Sequence, residues 1–263
     1  MATGNTEQLR LDEVTKCFSG KTVLDRISLS IHAGESVVVM GPSGCGKTVL
    51  LKHLIGLLTP DSGRVFVRGQ DLWAATAQER NALRNSFGMA FQEGALFDSM
   101  TVFENVAFPL RRHTGASGYE LRKMVEHSLS LVGLGAASAK RPSELSVGMR
   151  RRAGFARAIA LQPQILLFDE PTAGLDPVMV TVLNQLIASL GKMDSVTTVV
   201  STHDLRTARE VADRIVMLAN GKIVADAPVE EFFDLPLPEV RQLIEGRVDG
   251  PLRPAEELGE AVQ

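Results

Sequence analysis

Eight residues, Gly41-Pro42-Ser43-Gly44-Cys45-Gly46-Lys47-Thr48, fit the spacing G-x-x-x-x-G-K-[ST]. Residues of these types at this spacing suit phosphate chemistry. The glycines let backbone N–H groups close around phosphate oxygens, and a helix starting after the loop adds the positive end of its dipole. Lys47 is placed to reach the outer phosphates, and the Thr48 hydroxyl to ligate Mg²⁺. A second group of candidates lies downstream. Ile165-Leu166-Leu167-Phe168-Asp169-Glu170 is an apolar run ending in two acids. Asp169 can serve the metal beside Thr48, directly or through water, and Glu170 can polarise a water for attack on a γ-phosphate. Gln92 and His203 follow two further apolar runs. A Gln there can touch metal or water, and an imidazole can hold the attacking water in line.

These residues need a scaffold that brings distant positions to one edge. The run Ser36-Val37-Val38-Val39-Met40 reads as a buried strand feeding the glycine loop, and residues 49–55 continue as a helix. Strands are expected at 63–69, 87–91, 165–168 and 197–201, and a helical region at about 93–160. Helices are expected at 119–132, 149–160, 178–191 and near 205–212. Residues 7–40 suggest a hairpin-rich edge sheet, and Asn220-Gly221 a tight hairpin between 214–218 and 222–225. Strands alternating with helices around a phosphate loop imply an α/β protein with a mainly parallel core sheet. Its ligand edge would gather Asp169, Glu170, Gln92 and His203.

Composition excludes several classes. The 263 residues carry a net charge of −3, so nothing global suggests a nucleic-acid partner. No apolar run approaches the roughly 18–20 residues that a membrane span needs. The two cysteines, Cys17 and Cys45, read as free thiols in a reducing cytosol, since a disulfide at Cys45 would obstruct the phosphate loop. Residues 227–263 differ from the rest. They hold five of the twelve prolines, with nine acids against three arginines, a net charge of −6. They read as an extended arm with one short helix near 238–245, not a core element. Phe232, Phe233, Leu235, Val240, Leu243 and Ile244 are expected to dock on a neighbouring surface, the alternative being a tail folded on its own domain or left disordered.

Leu145-Ser146-Val147-Gly148-Met149, with Arg150, Arg151 and Arg152 behind it, reads by itself as a capped helix start with a solvated basic face. Together with the other motifs it resembles the signature of ABC transporter ATPase subunits. The family's order is kept: Walker A at 41–48, Gln92, the signature at 145–149, Walker B at 165–170, Ala173-Gly174-Leu175-Asp176, and His203. The resemblance spans about residues 7–226. It implies the ABC ATPase fold, a parallel core with an antiparallel β edge and a helical subdomain at about 93–160. It also implies two ATP and Mg²⁺ held in a head-to-tail homodimer. Phe18 would stack on adenine. Ser146 and the Gly148 amide would contact the opposite subunit's γ-phosphate, and Asp176 would belong to the nucleotide-binding set. Val147 departs from the family's usual glycine.

A narrower resemblance is carried by Phe91-Gln92-Glu93-Gly94-Ala95-Leu96-Phe97-Asp98, Asn105-Val106-Ala107-Phe108-Pro109-Leu110-Arg111, and Val240-Arg241-Gln242-Leu243-Ile244-Glu245-Gly246. These stretches look like the ATPases of Mce/Mla-type lipid transporters. That similarity implies integral-membrane permease subunits and an MCE-domain lipid-binding protein as partners. It also implies a peripheral position on the cytoplasmic face of the inner membrane. A generic ABC importer ATPase is the alternative. A soluble ABC ATPase of translation or DNA repair would normally need a second cassette or a long coiled-coil insert, which this sequence lacks. A non-hydrolysing regulator is disfavoured by Glu170.

Overall fold

The computed structural model describes residues 6–92, 94–193 and 196–252. Strands β1 (Glu7–Phe18) and β2 (Lys21–His32) form a hairpin, with Ser19 and Gly20 at φ 46° and 80° in its turn. β3 (Ser36–Met40) runs into the glycine loop and α1 (Lys47–Leu54). β4 (Ser62–Val67), β5 (Gln70–Asp71), α2 (Ala77–Arg84) and β6 (Phe87–Ala90) follow. Helices α3 (Val102–His113), α4 (Gly118–Leu131) and α5 (Val147–Ile159) then occupy the region expected to be helical. β7 (Ile165–Asp169), α6 (Pro177–Gly191), β8 (Thr197–Thr202) and α7 (Leu205–Val211) alternate after it. β9 (Arg214–Ala219) and β10 (Lys222–Pro228) close the sheet, and α8 (Val229–Phe232) and α9 (Pro238–Glu245) follow it.

The main sheet has the order β10-β9-β3-β8-β7-β6, and only β10 runs antiparallel to its neighbour. The second sheet is antiparallel, β2-β1-β4-β5. The parallel strands are apolar on both faces because both faces are covered. Val38, Met40, Leu166, Phe168 and Val200 face the core shared with α3 to α6. Val37, Val39, Ile165, Leu167 and Val199 face a second core beneath α1 and the antiparallel sheet. Phe168 meets Phe155 of α5 edge to face at 5.0 Å, which pins the helical layer to the strand carrying Asp169. Arg214 ties the two sheets together. It is ion-paired with Glu35 and Asp226 and donates to the Ser30 carbonyl. No helix of the described residues is long and apolar enough to cross a membrane.

The C-terminal arm is a correction. Phe232 and Val240 are fully buried, and Leu252 nearly so, all three in the protein's own core. Phe233, Leu235, Leu243 and Ile244 pack against the same cluster. The expectation was misled by charge and proline count. Glu230, Glu231, Asp234, Glu245 and Asp249 are exposed, while Phe232, Val240 and Leu252 turn inward, so the segment behaves as an amphipathic closure. Gln242 completes it. Its amide donates to the carbonyls of Arg247, Val248 and Leu252 and accepts from the Leu252 N–H. The remainder of the expected arm, 253–263, lies outside the described residues.

Candidate functional site

The loop after β3 has the backbone that only glycine supplies cheaply. Gly41, Gly44 and Gly46 take φ of 155°, 76° and 107°. A Cβ on Gly41 would lie 2.2 Å from the Leu218 carbonyl oxygen, so β9 presses directly on the loop. Cys45 is buried beside it, and burial pushes its thiol above the ordinary range, leaving it protonated and unreactive. Both cysteines are free thiols, as expected.

Lys47, at the first position of α1, is 6% exposed. Its ammonium donates to the carbonyls of Gly41 and Pro42 at 2.9 and 3.1 Å. It also lies 3.1 Å from the Glu170 carboxylate. The other Glu170 oxygen is 3.0 Å from His203 Nδ1. Glu170 has φ +45°, a strained value for a carboxylate residue, sustained by the end of β7. Its N–H donates to the Ser201 hydroxyl and to the Ser201 carbonyl. The Ser201 hydroxyl in turn donates to Asp169 at 2.6 Å, and the Thr48 hydroxyl donates to the same carboxylate oxygen at 2.9 Å. Two strand ends and one helix start thus place Lys47, Thr48, Asp169, Glu170 and His203 in one contact network. The sequence reading missed Ser201, and its place at the end of β8, beside Asp169 in register, is the signal that would have found it.

The other expected residues stand apart from this network. Among the described residues no hydrogen bond or ion pair joins Gln92, Phe18, Ser146, Gly148 or Asp176 to it. Gln92 lines a separate cleft of about 470 Å³ with Ala95, Leu96, Pro142, Val147 and Arg150. Phe18 is 43% exposed at the end of β1, with Lys16 Nζ 5.4 Å from its ring centroid. Ser146 caps α5 by accepting from Met149 N–H, and Gly148 lies under the Met179 methyl. Asp176 caps α6, accepting from the N–H groups of Val178 and Met179. The arginines behind the signature are a second correction. Arg151 is buried and donates to the carbonyls of Pro171 and Ala173, Arg150 to Leu145, and Arg152 to Val132 and Gly133. They fasten loops to α5 and are not a solvated basic face.

A phosphate loop, its lysine and a strand-end acid pair on the carboxyl edge of a parallel sheet define a P-loop nucleotide hydrolase. The antiparallel sheet on one side and the helical layer on the other narrow the class further. Residues 24–173 match the family described as ABC transporter. The chain belongs to that family. It is 44% identical over 253 residues to the probable ribonucleotide transport ATP-binding protein mkl of Mycobacterium bovis, covering 96% of this chain and 70% of that one. It is 43% identical over 232 residues to the intermembrane phospholipid transport system ATP-binding protein MlaF of Escherichia coli K12, covering 88% and 86%. Among solved structures it is similar to a bacterial ABC transporter cassette in dimeric form. The TM-score is 0.78 at 33% identity, covering 84% of this chain and 98% of that one.

Proposed function

We propose that this chain is the ATP-hydrolysing subunit of an Mce/Mla-type lipid transporter, acting at the cytoplasmic face of the inner membrane. The observation that carries hydrolysis is the Glu170 carboxylate poised between Lys47 and His203, next to Asp169 and Thr48. Lys47 and the loop N–H groups hold the triphosphate of ATP. Glu170 orients and deprotonates the attacking water, and His203 keeps it in line. The Thr48 hydroxyl and the Asp169 carboxylate, hydrogen-bonded to each other, are hard oxygen donors that fit Mg²⁺, which typically takes one or two carboxylates with phosphate oxygens and water, whereas Gln92, the third expected donor, lies in its separate cleft. When bound the ion would offset the negative charge of the phosphates.

Ser146, Gly148 and Asp176 lie outside the Lys47 network, which is what a site shared between two copies requires. We assign them to the nucleotide of a second subunit, in a head-to-tail homodimer. Phe18, uncovered at the strand end, takes the adenine. Integral-membrane permease subunits and an MCE-domain lipid-binding protein complete the assembly. Lipid is favoured over other cargo by the likeness to MlaF across most of both chains and by the stretches 91–98 and 240–246. The name of the mycobacterial relative favours a second reading, ribonucleotide transport. One experiment separates them. The chain is co-expressed with a candidate Mce/Mla-type permease and reconstituted in liposomes, and ATP hydrolysis is followed with fluorescent phospholipid or labelled ribonucleotide as cargo. Phospholipid movement that stops on Lys47→Ala supports lipid transport. Ribonucleotide movement alone, or no ATP-dependent movement of lipid, overturns it.

A further inference from the structure

Ser201, near the end of β8, is fully buried and is the register partner of Asp169 in the parallel ladder. Its hydroxyl makes bonds in two directions. The oxygen accepts from the Glu170 N–H at 3.1 Å, and the proton goes to Asp169 Oδ1 at 2.6 Å. Chemistry fixes these directions. An N–H only donates and an ionised carboxylate only accepts, so a hydroxyl, which does both, can stand between them. The bond to Asp169 is charge-assisted, and 2.6 Å is an ordinary length for O–H···O⁻.

The result is a closed ring. Asp169 and Glu170 are neighbours in the chain, and one serine holds the side chain of the first and the backbone of the second. Glu170 is bent at φ +45°, and its N–H reaches both the hydroxyl and the carbonyl of Ser201. The carbonyl bond continues the ladder, and any residue at 201 would supply it. The hydroxyl bond is what serine adds. Thr48 donates to the same Oδ1 at 2.9 Å, so two hydroxyls converge on one oxygen. Among the described residues Asp169 Oδ2 has no hydrogen-bond partner. Two donors on Oδ1 fix the turn of the carboxylate and leave its second oxygen available.

We propose, resting on the roles given above to Asp169 and Glu170, that Ser201 is a positioning residue. Its hydroxyl holds the Asp169 carboxylate and the bent Glu170 backbone in one fixed relation. Oδ2 is thereby kept for Mg²⁺, while the Glu170 side chain turns towards Lys47 and His203. A non-glycine residue at a left-handed φ persists only where its surroundings hold it there. Groups that orient a metal-binding carboxylate are typically worth about 10–100-fold in metal affinity or activity.

The test compares the full chain with Ser201→Ala and Ser201→Thr. Mn²⁺, as a paramagnetic probe of the Mg²⁺ site, is titrated by electron paramagnetic resonance with a non-hydrolysable ATP analogue present. Analogue Kd without metal, kcat, KM and thermal midpoint are measured alongside. Ser201→Ala should weaken Mn²⁺ binding by about tenfold or more and lower kcat by about 10–100-fold. Analogue affinity without metal should stay within about twofold of the wild type, because Lys47 and its loop are untouched. The midpoint should stay within about 5 °C, because the Glu170 N–H keeps its carbonyl partner. Ser201→Thr keeps the hydroxyl and should recover most of both losses. Either an unchanged Mn²⁺ affinity or an unchanged kcat in Ser201→Ala overturns the proposal. So does a midpoint lowered by more than about 10 °C together with lost analogue affinity, the mark of a merely structural serine. A Ser201→Thr chain with the wild-type midpoint and the losses of Ser201→Ala overturns it as well. A wild-type chain that binds Mn²⁺ with the analogue yet hydrolyses no ATP would sink the functional reading instead, and the Mn²⁺ comparison still decides this one.

Discussion

Replacing Glu170 with Gln tests two roles of one carboxylate. The structure shows it 3.1 Å from the Lys47 ammonium, with both groups largely buried. At an effective dielectric of about 20, a pair at that distance attracts by about 5 kcal/mol before desolvation is charged against it. The net worth of a charge-assisted hydrogen bond is smaller, about 1.5–3 kcal/mol. A triphosphate must win Lys47 from this partner and must also approach a second negative charge. The substitution Glu170→Gln removes the charge and keeps the shape. The variant should therefore bind ATP more tightly, by about 1.4 kcal/mol or tenfold in Kd. Hydrolysis should fall by about 10²–10⁴-fold, the scale for one general base. A fluorescent ATP analogue titrated into the purified chain reads the first effect, and phosphate release by the assembled complex reads the second. Weaker binding would refute the resting Lys47–Glu170 pair. Near-normal turnover would refute the catalytic assignment.

Three further outcomes are expected. Val147→Gly should leave the ATPase rate of the complex unchanged or raise it, because glycine restores backbone freedom at the first turn of α5; a large drop would mark Val147 as an adapted part of the site. Phe232→Ala should cost about 3–5 kcal/mol in urea unfolding, since its ring is fully buried; a loss under about 1 kcal/mol would mean that α8 is not part of the core. His53 is buried, and burial holds its pKa below the ordinary 6.5 although its contact with the Val49 carbonyl pulls the other way. The unfolded chain takes up that proton first, so the stability due to neutral His53 is complete above about pH 6.5 and declines as pH falls from there towards the lower folded value. The slope is at most about 1.4 kcal/mol per pH unit for one group. Urea midpoints at pH 7.5 to 5, compared with His53→Gln, check it, and parallel curves would refute the assignment.

The sequence declared the chemistry better than it declared the supports. The glycine loop was legible because its spacing answers one physical demand, backbone N–H groups around phosphate, and its neighbours had to be a strand and a helix. The acids at the end of β7 were legible because an apolar strand that stops on two carboxylates must present them at a sheet edge. Ser201 was not, since one serine in a β-branched strand says nothing until register sets it beside Asp169. The arginines of α5 were misread for a related reason. Local sequence shows a run of cations, and only the fold reveals that carbonyls of several different loops come within their reach. The C-terminal segment failed on the balance between charge and burial. Its acids dominate the composition, yet Phe232 and Val240, at about 2 kcal/mol or more each on burial, decide where it lies. Charge near a surface costs little to keep solvated, whereas an apolar ring left in water forfeits its whole transfer energy, so the buried few outweigh the exposed many.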